Sequence, residues 1–354
     1  MPLSLVTNSD SFTTDSMVAN ADLYVHEELI PGVFNGVTVL KMLGGKDMLD
    51  MKDDSIEAAG DALDLRNGGE VIAVNVMTNE GGMTQPLDEF EIITTTPPRV
   101  AETSWVPWRE YATPVTVSRR ELRKNSGSQS HFKIQDARLR QAQMDLMKSL
   151  DIDLVRGDQS ESTLNSLDLA KRVYGISYYV EEDPTASSTV ANVARASNSW
   201  HKNVSNLDHA ISDTPAFSSE GILDILTLGF SADGGDGVDE VDCYLTNETI
   251  MTKWWDALDG IIRLKAGEKG DVWTEPTFRG KPVYRSKALS AISVQNVYGL
   301  CLKYWKFVVD RESFFEYSGK MSPYNQLAET EYIIFMGNLI CENPRRQFVM
   351  TGIT

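Results

Sequence analysis

Residues 233–240 (DGGDGVDE) alternate carboxylates with glycines, the composition of a calcium-binding loop. A calcium hand needs its acids, its Gly and its closing Glu at fixed offsets between two helices. Those offsets fail here, so an acidic surface turn is the plainer account. Residues 44–47 (GGKD) lack the frame of a phosphate loop. Asp151 and Asp153 stand two positions apart in a helical pattern, so their carboxylates face different ways and cannot form a catalytic dyad. The four histidines, His26, His131, His201 and His209, meet no acid at a recurring helical step. Arg156-Gly157-Asp158 spells an adhesion tripeptide, which the end of a helix explains better. Cys243, Cys301 and Cys341 are odd in number and far apart, whereas zinc sites use close pairs of ligands. Cys301 and Cys341 fall inside apolar strand patterns and read as buried, reduced thiols. No catalytic residue, metal or cofactor is expected.

The bulk numbers agree with a large folded chain that is not built to bind a phosphate backbone. At 354 residues it can bury a sizeable core, as two domains or as one with excursions. Its 42% apolar and 24% charged residues are ordinary; its net charge of −18 is not. That charge favours solubility and opposes tight binding to a phosphate backbone, which needs clustered Lys and Arg. No signal peptide and no run approaching the ~20 apolar residues of a membrane span is seen, so a soluble, intracellular protein is expected.

Which elements would position interacting groups follows from periodicity. Residues 1–32 read as a polar, extended arm. Residues 53–65 read as a weak amphipathic helix that Asn67, Gly68 and Gly69 would end. A β-type run over 70–77 leads into a polar tip, and 99–118 return through Trp105, Trp108, Tyr111, Val115 and Val117. Fully extended, that return arm would reach on the order of 60 Å. Leu139, Ala142, Leu146, Leu150 and Leu154 give 131–156 one apolar helical face. Residues 173–180 look strand-like. A helix over 219–230, a strand over 241–245 and a helix over 247–258, capped by Asn247, suggest an α/β lobe. Strand-like runs close the chain over 278–289, 297–317, 327–341 and 347–353, with a polar break at 318–326.

The charged groups suggest contact between subunits. Arg119, Arg120, Arg123 and Lys124 form the one dense basic run; its bland reading is a solvated turn or helix start. The tip between the two arms carries Glu80, Asp88, Glu89 and Glu91, with apolar Phe90 and Ile92 among them. One chain's tip cannot easily fold back onto its own root. Acid-to-base pairing between neighbours would therefore set register, and the apolar pair would supply affinity.

In this order of elements, and in residues 108–125 (WREYATPVTVSRRELRKN), Gly280-Lys281-Pro282-Val283 and the ending NPRRQFVMTGI, the chain resembles the major capsid proteins of tailed bacteriophages. The resemblance covers most of residues 30–354. It implies the Hong Kong-type phage coat fold, an α+β architecture. The N-terminal arm and the start of the peripheral domain would be 1–66, and the extended β-hairpin loop 67–117. The peripheral domain, with spine helix and long strands, would be 118–158 and 306–341; the axial α/β domain would be 159–305 and 342–354. It also implies self-assembly as pentamers and hexamers into an icosahedral head around double-stranded DNA, with a portal and possibly a decoration protein. Some relatives weld neighbours through a loop Lys. Residues 69–98 contain no Lys, so a non-covalent shell is expected. With the loop beginning near Glu70, a separate scaffolding protein is expected too. An encapsulin-like shell, a tail or baseplate component, or an acidic α/β hydrolase with two carboxylates ~5–9 Å apart are the competing readings.

Overall fold

A computed structural model of the chain describes residues 38–44, 63–77, 86–89, 100–124, 134–156, 171–184, 189–208, 219–233, 240–262, 277–291 and 295–353. The expected arm over 1–32, the acidic turn at 234–239 and most of the loop tip lie outside them. The chain divides into two compact units. The larger comprises Asn35–Ala112, Leu146–Glu316 and Ile334–Thr354; the smaller comprises Met1–Phe34, Thr113–Asp145 and Tyr317–Ile333.

The core of the larger unit is a six-stranded sheet. Its strands are β7 (Val204–Ser205), β8 (Cys243–Thr246), β9 (Thr277–Phe278), β10 (Lys281–Arg285), β11 (Val297–Leu300) and β15 (Phe348–Met350). They run in the order β7-β15-β11-β8-β10-β9. Every residue of β8, β11 and β15 is buried, as expected of central strands covered on both faces. Helices α5 (Ser219–Asp233) and α6 (Glu248–Ile262) contribute Ile225, Leu228, Ile250 and Trp254 to the same core as Tyr244, Val283 and Phe348. Gly299 in β11 is a packing necessity. A Cβ there would lie 2.0 Å from a ring carbon of Phe348. As its spacing predicts, Asn247 caps α6: its Oδ1 accepts the backbone N–H of Ile250 at 2.8 Å.

A second sheet runs β1 (Leu63–Arg66), β12 (Trp305–Asp310), β14 (Ala328–Cys341), β13 (Glu316–Tyr317), and β4 (Arg109–Ser118) also pairs with β14. β14 is 14 residues long, the extended strand that 327–341 predicted. The helical pattern over 131–156 forms α3 (Ile134–Arg156), with Leu146, Leu150 and Leu154 buried in the larger unit. Its Asp151 caps the short helix α1 (Thr38–Gly44), accepting the N–H groups of Val39 and Leu40 at 2.8 and 2.9 Å.

Three expectations are corrected. Leu63–Arg66 is a strand paired in parallel with β12, not the end of a helix. Within 173–180, Ile176–Tyr179 is a single helical turn, α4, rather than a strand. The return arm is two strands, β3 (Ala101–Pro107) and β4, separated at Trp108 and belonging to different sheets.

Candidate functional site

The first candidate element is a ribbon. β2 (Val71–Met77) and β3 pair antiparallel over their full length, from Val71 opposite Pro107 to Met77 opposite Ala101, as a separate two-stranded sheet. A lone hairpin is marginally stable in water. This one is fastened at its base within the larger unit. The Ala191 carbonyl accepts the Trp105 N–H at 3.1 Å and the Ser104 hydroxyl at 3.3 Å. Buried Asn338 donates to the Pro107 carbonyl at 2.8 Å and accepts the Tyr174 N–H at 2.9 Å. Apolar side chains stand exposed at and beyond its paired residues, with Met77 at 72% and Leu87 and Val100 at 55% each.

Of the predicted tip residues, Asp88 and Glu89 are described and both are exposed. The Asp88 carboxylate accepts the Glu89 N–H at 2.8 Å. Glu80, Phe90, Glu91 and Ile92 lie outside the described residues. The basic run belongs to the smaller unit, where it forms the six-residue helix α2 (Arg119–Lys124). Arg119, Arg120, Arg123 and Lys124 are all exposed.

A capping box explains why a helix starts there, a signal the sequence carried in Ser118-Arg119-Arg120-Glu121. Glu121 Oε2 accepts the Ser118 N–H at 3.1 Å, and the Ser118 hydroxyl accepts the Arg120 N–H at 3.3 Å. The other Glu121 oxygen pairs with Arg138 of α3 at 2.9 Å. The lone acid of the run is thereby turned onto α3 while the cations face solvent.

The groups with chemical potential elsewhere are bound into the scaffold. Asp153 accepts the Tyr111 hydroxyl at 2.7 Å and pairs with Arg172 at 2.8 Å, while Asp151 serves α1, so the two aspartates have separate partners. Burial raises the pKa of both carboxyls above the usual carboxylate value. His201 is fully buried, and burial, with the Arg195 guanidinium beside it, holds its pKa down to about 4. All three cysteines are buried thiols outside any disulfide, and burial pushes the Cys243 and Cys341 thiols up, away from the reactive thiolate. Among the described residues no cluster of His, Cys, Asp and Glu could hold a metal ion. Among them, no helix is long and apolar enough to cross a membrane.

No protein-family model and no curated protein sequence matches the chain. Solved structures do. The capsid of cyanophage A-1(L) aligns over 97% of this chain and 98% of its own, at 11% identity and a TM-score of 0.62. The fold is that of phage capsid proteins. The capsid of the native GTA particle aligns over 93% of this chain and 95% of its own, at 11% identity and a TM-score of 0.57. The holo-SrpI encapsulin complex of Synechococcus elongatus PCC 7942 shares the capsid fold as well, over 97% and 96%, at 11% identity and a TM-score of 0.53. The α+β class is therefore as expected. In this capsid-fold chain the β2–β3 ribbon and the α2 cations are the two surfaces that the sequence had singled out for contact between subunits.

Proposed function

We propose that this chain is the major capsid protein of a tailed bacteriophage. Copies self-assemble as pentamers and hexamers into an icosahedral head that encloses double-stranded DNA. The observation that carries this reading is the end-to-end match with the cyanophage capsid, 97% of one chain on 98% of the other. The shell is held non-covalently and does no catalysis. That part is supported by the lack of Lys over residues 69–98 and by the structural duties of Asp151 and Asp153. The ribbon with its tip and β4 acts as the extended loop, the α3, β12 and β14 region as the peripheral domain, and the six-stranded sheet with α5 and α6 as the axial domain. The acids Glu80, Asp88, Glu89 and Glu91 dock on a neighbour's Arg119, Arg120, Arg123 and Lys124, with Phe90 and Ile92 in apolar contact. A separate scaffolding protein, a portal and possibly a decoration protein complete the head in the host cytoplasm. The net charge of −18 suits a wall that repels packaged DNA and keeps it mobile.

A second reading is an encapsulin-like compartment, favoured by the Synechococcus match. Sedimentation of the chain produced with its genomic neighbours, followed by nuclease treatment, tests both readings. Fast-sedimenting particles that protect double-stranded DNA are expected. Particles that hold a protein cargo and no DNA would transfer the chain to the compartment reading, and a small oligomer under every condition would overturn both.

A further inference from the structure

The base of the ribbon hangs on a strained turn, and a buried histidine holds that turn shut. β5 (Thr189–Val190) and β6 (Val193–Ala194) form a hairpin whose two turn residues, Ala191 and Asn192, have φ of +47° and +67°. Residues that carry a side chain keep this left-handed conformation where their surroundings impose it. Bonds on three sides do so here. The Tyr178 hydroxyl accepts the Ala191 N–H at 2.9 Å. The Ala191 carbonyl accepts the Trp105 N–H and the Ser104 hydroxyl of β3, at 3.1 and 3.3 Å. One peptide earlier, the Val190 carbonyl lies 3.2 Å from His201 Nε2. Val190, Ala191, Val193 and His201 are all buried. Histidine, turn and ribbon base are thus successive links of one hydrogen-bonded chain.

The imidazole fits this place in one protonation state. A carbonyl accepts and cannot donate, so Nε2 carries the proton and the neutral ring leaves Nδ1 bare. Nδ1 is buried and has no hydrogen-bond partner among the described residues. A second proton would therefore create a buried N–H with nothing to accept it. The neighbouring charges add to that cost. The wholly buried Arg195 donates from Nε to the His201 carbonyl at 3.1 Å, and its Nη1 pairs with Glu181 at 2.8 Å. Glu181 is thereby matched to Arg195 before it can serve an imidazolium. Lys202 follows His201 in the chain, and the turn Pro344–Arg346, packed against Ser199–His201, brings Arg345 and Arg346. Tyr178, Tyr179 and Cys341 stay neutral, since burial raises the pKa of each.

We propose that His201 is a proton-operated latch for the ribbon: protonation expels its ring from the Val190 carbonyl, the strained turn opens, and the bonds to Ser104 and Trp105 are lost. The Asn338 bond to the Pro107 carbonyl involves no titrating group, so the root stays fastened and the ribbon pivots above it. The latch belongs to one folded chain and stands apart from the shell reading.

Residue-resolved hydrogen–deuterium exchange of the purified full chain at pH 7 and pH 5, corrected for the intrinsic pH dependence of exchange, tests the latch. The closed ring titrates at about 4 and an open one near 6.5, so opening should become on the order of twentyfold more frequent at the lower pH. The Trp105 and Ala191 amides should lose protection by that factor. The Tyr174 amide, held by Asn338, and the amides of β8 and β11 should keep theirs. His201→Gln can still donate to the Val190 carbonyl but takes up no proton, so its Trp105 and Ala191 amides should be protected equally at both pH values. Unchanged protection of Trp105 at pH 5, an equal loss throughout β8 and β11, or an undiminished loss in His201→Gln would each overturn the proposal. Should that variant not fold, the wild-type slope decides. A loss confined to Trp105 and Ala191 that grows about sevenfold from pH 6 to pH 5 supports the latch, and a flatter or unconfined loss overturns it.

Discussion

His201 shows how a side chain that looks like a candidate for chemistry is used as scaffold. Its Nε2 lies 3.2 Å from the Val190 carbonyl, and its own carbonyl accepts the Arg195 guanidinium at 3.1 Å. Arg195 is buried as well and pairs with Glu181 at 2.8 Å. The imidazole titrates at about 4 in the folded chain and near 6.5 when unfolded. Between those values the unfolded chain binds a proton that the folded one refuses. Stability from this group is therefore complete above the unfolded pKa and falls as pH drops toward the folded one, by on the order of 3 kcal/mol. Asp151 and Asp153 act in the opposite sense. Their raised pKa values let the folded state take up protons first, so acid relieves the cost of burying them. Urea unfolding at pH 7 and pH 4.5 isolates the histidine contribution. His201→Gln should lose less stability than wild type between those two conditions, and an equal loss would refute the assignment. That His201 had no acid partner was legible in the sequence. That it is buried against Arg195 was not, because both come from a Ser- and Asn-rich stretch with no periodicity to mark an interior.

At the scale of elements, legibility followed locality. Helix α3 and the capped start of α6 were readable because their signals lie within a few turns of chain. Asn247→Ala should cost about 1 kcal/mol by removing the acceptor for the Ile250 N–H. A melting temperature unchanged within error would show that the cap contributes nothing. Strand β14 was readable too, from 14 residues of apolar and β-branched chain. β1 was not, since the four residues of LDLR become a strand only by pairing with Phe307 to Asp310, far along the chain. The turn at Ile176–Tyr179 misled in the other direction. Its aromatic and β-branched residues favour a strand, but burial of Ile176 and Tyr179, and the bond from the Tyr179 hydroxyl to the Leu339 carbonyl at 2.8 Å, hold a helical turn. The hairpin of β2 and β3 was legible as an excursion. The break at Trp108 was not, because β4 leaves the ribbon to pair with the distant β14.

For the whole molecule, a shell needs surfaces that are exposed in one copy and covered in the assembly. In the proposed shell the exposed α2 cations would meet the first requirement, and the chain's acidic balance would offer complementary charge on a neighbouring copy. Charge reversal of Arg119, Arg120 and Arg123 to Glu should leave the folded chain intact by circular dichroism and impair particle formation. Exposed pairs contribute only ~0.2–1 kcal/mol each and salt screens them, so the defect relative to wild type should shrink as salt rises. Normal particles from the triple variant would sink the acid-to-base docking while leaving the fold untouched. The basic run was visible in the sequence as composition, and its cap was carried locally by Ser118 and Glu121; the pairing of Glu121 with Arg138 was not visible, because sequence order does not reveal it. The measurement closest to the central claim is negative-stain electron microscopy of the purified full-length chain, alone and produced together with its genomic neighbours. Hollow, isometric particles, or rings of five and six copies, are the predicted result. A small oligomer of one size under every condition would contradict the shell account.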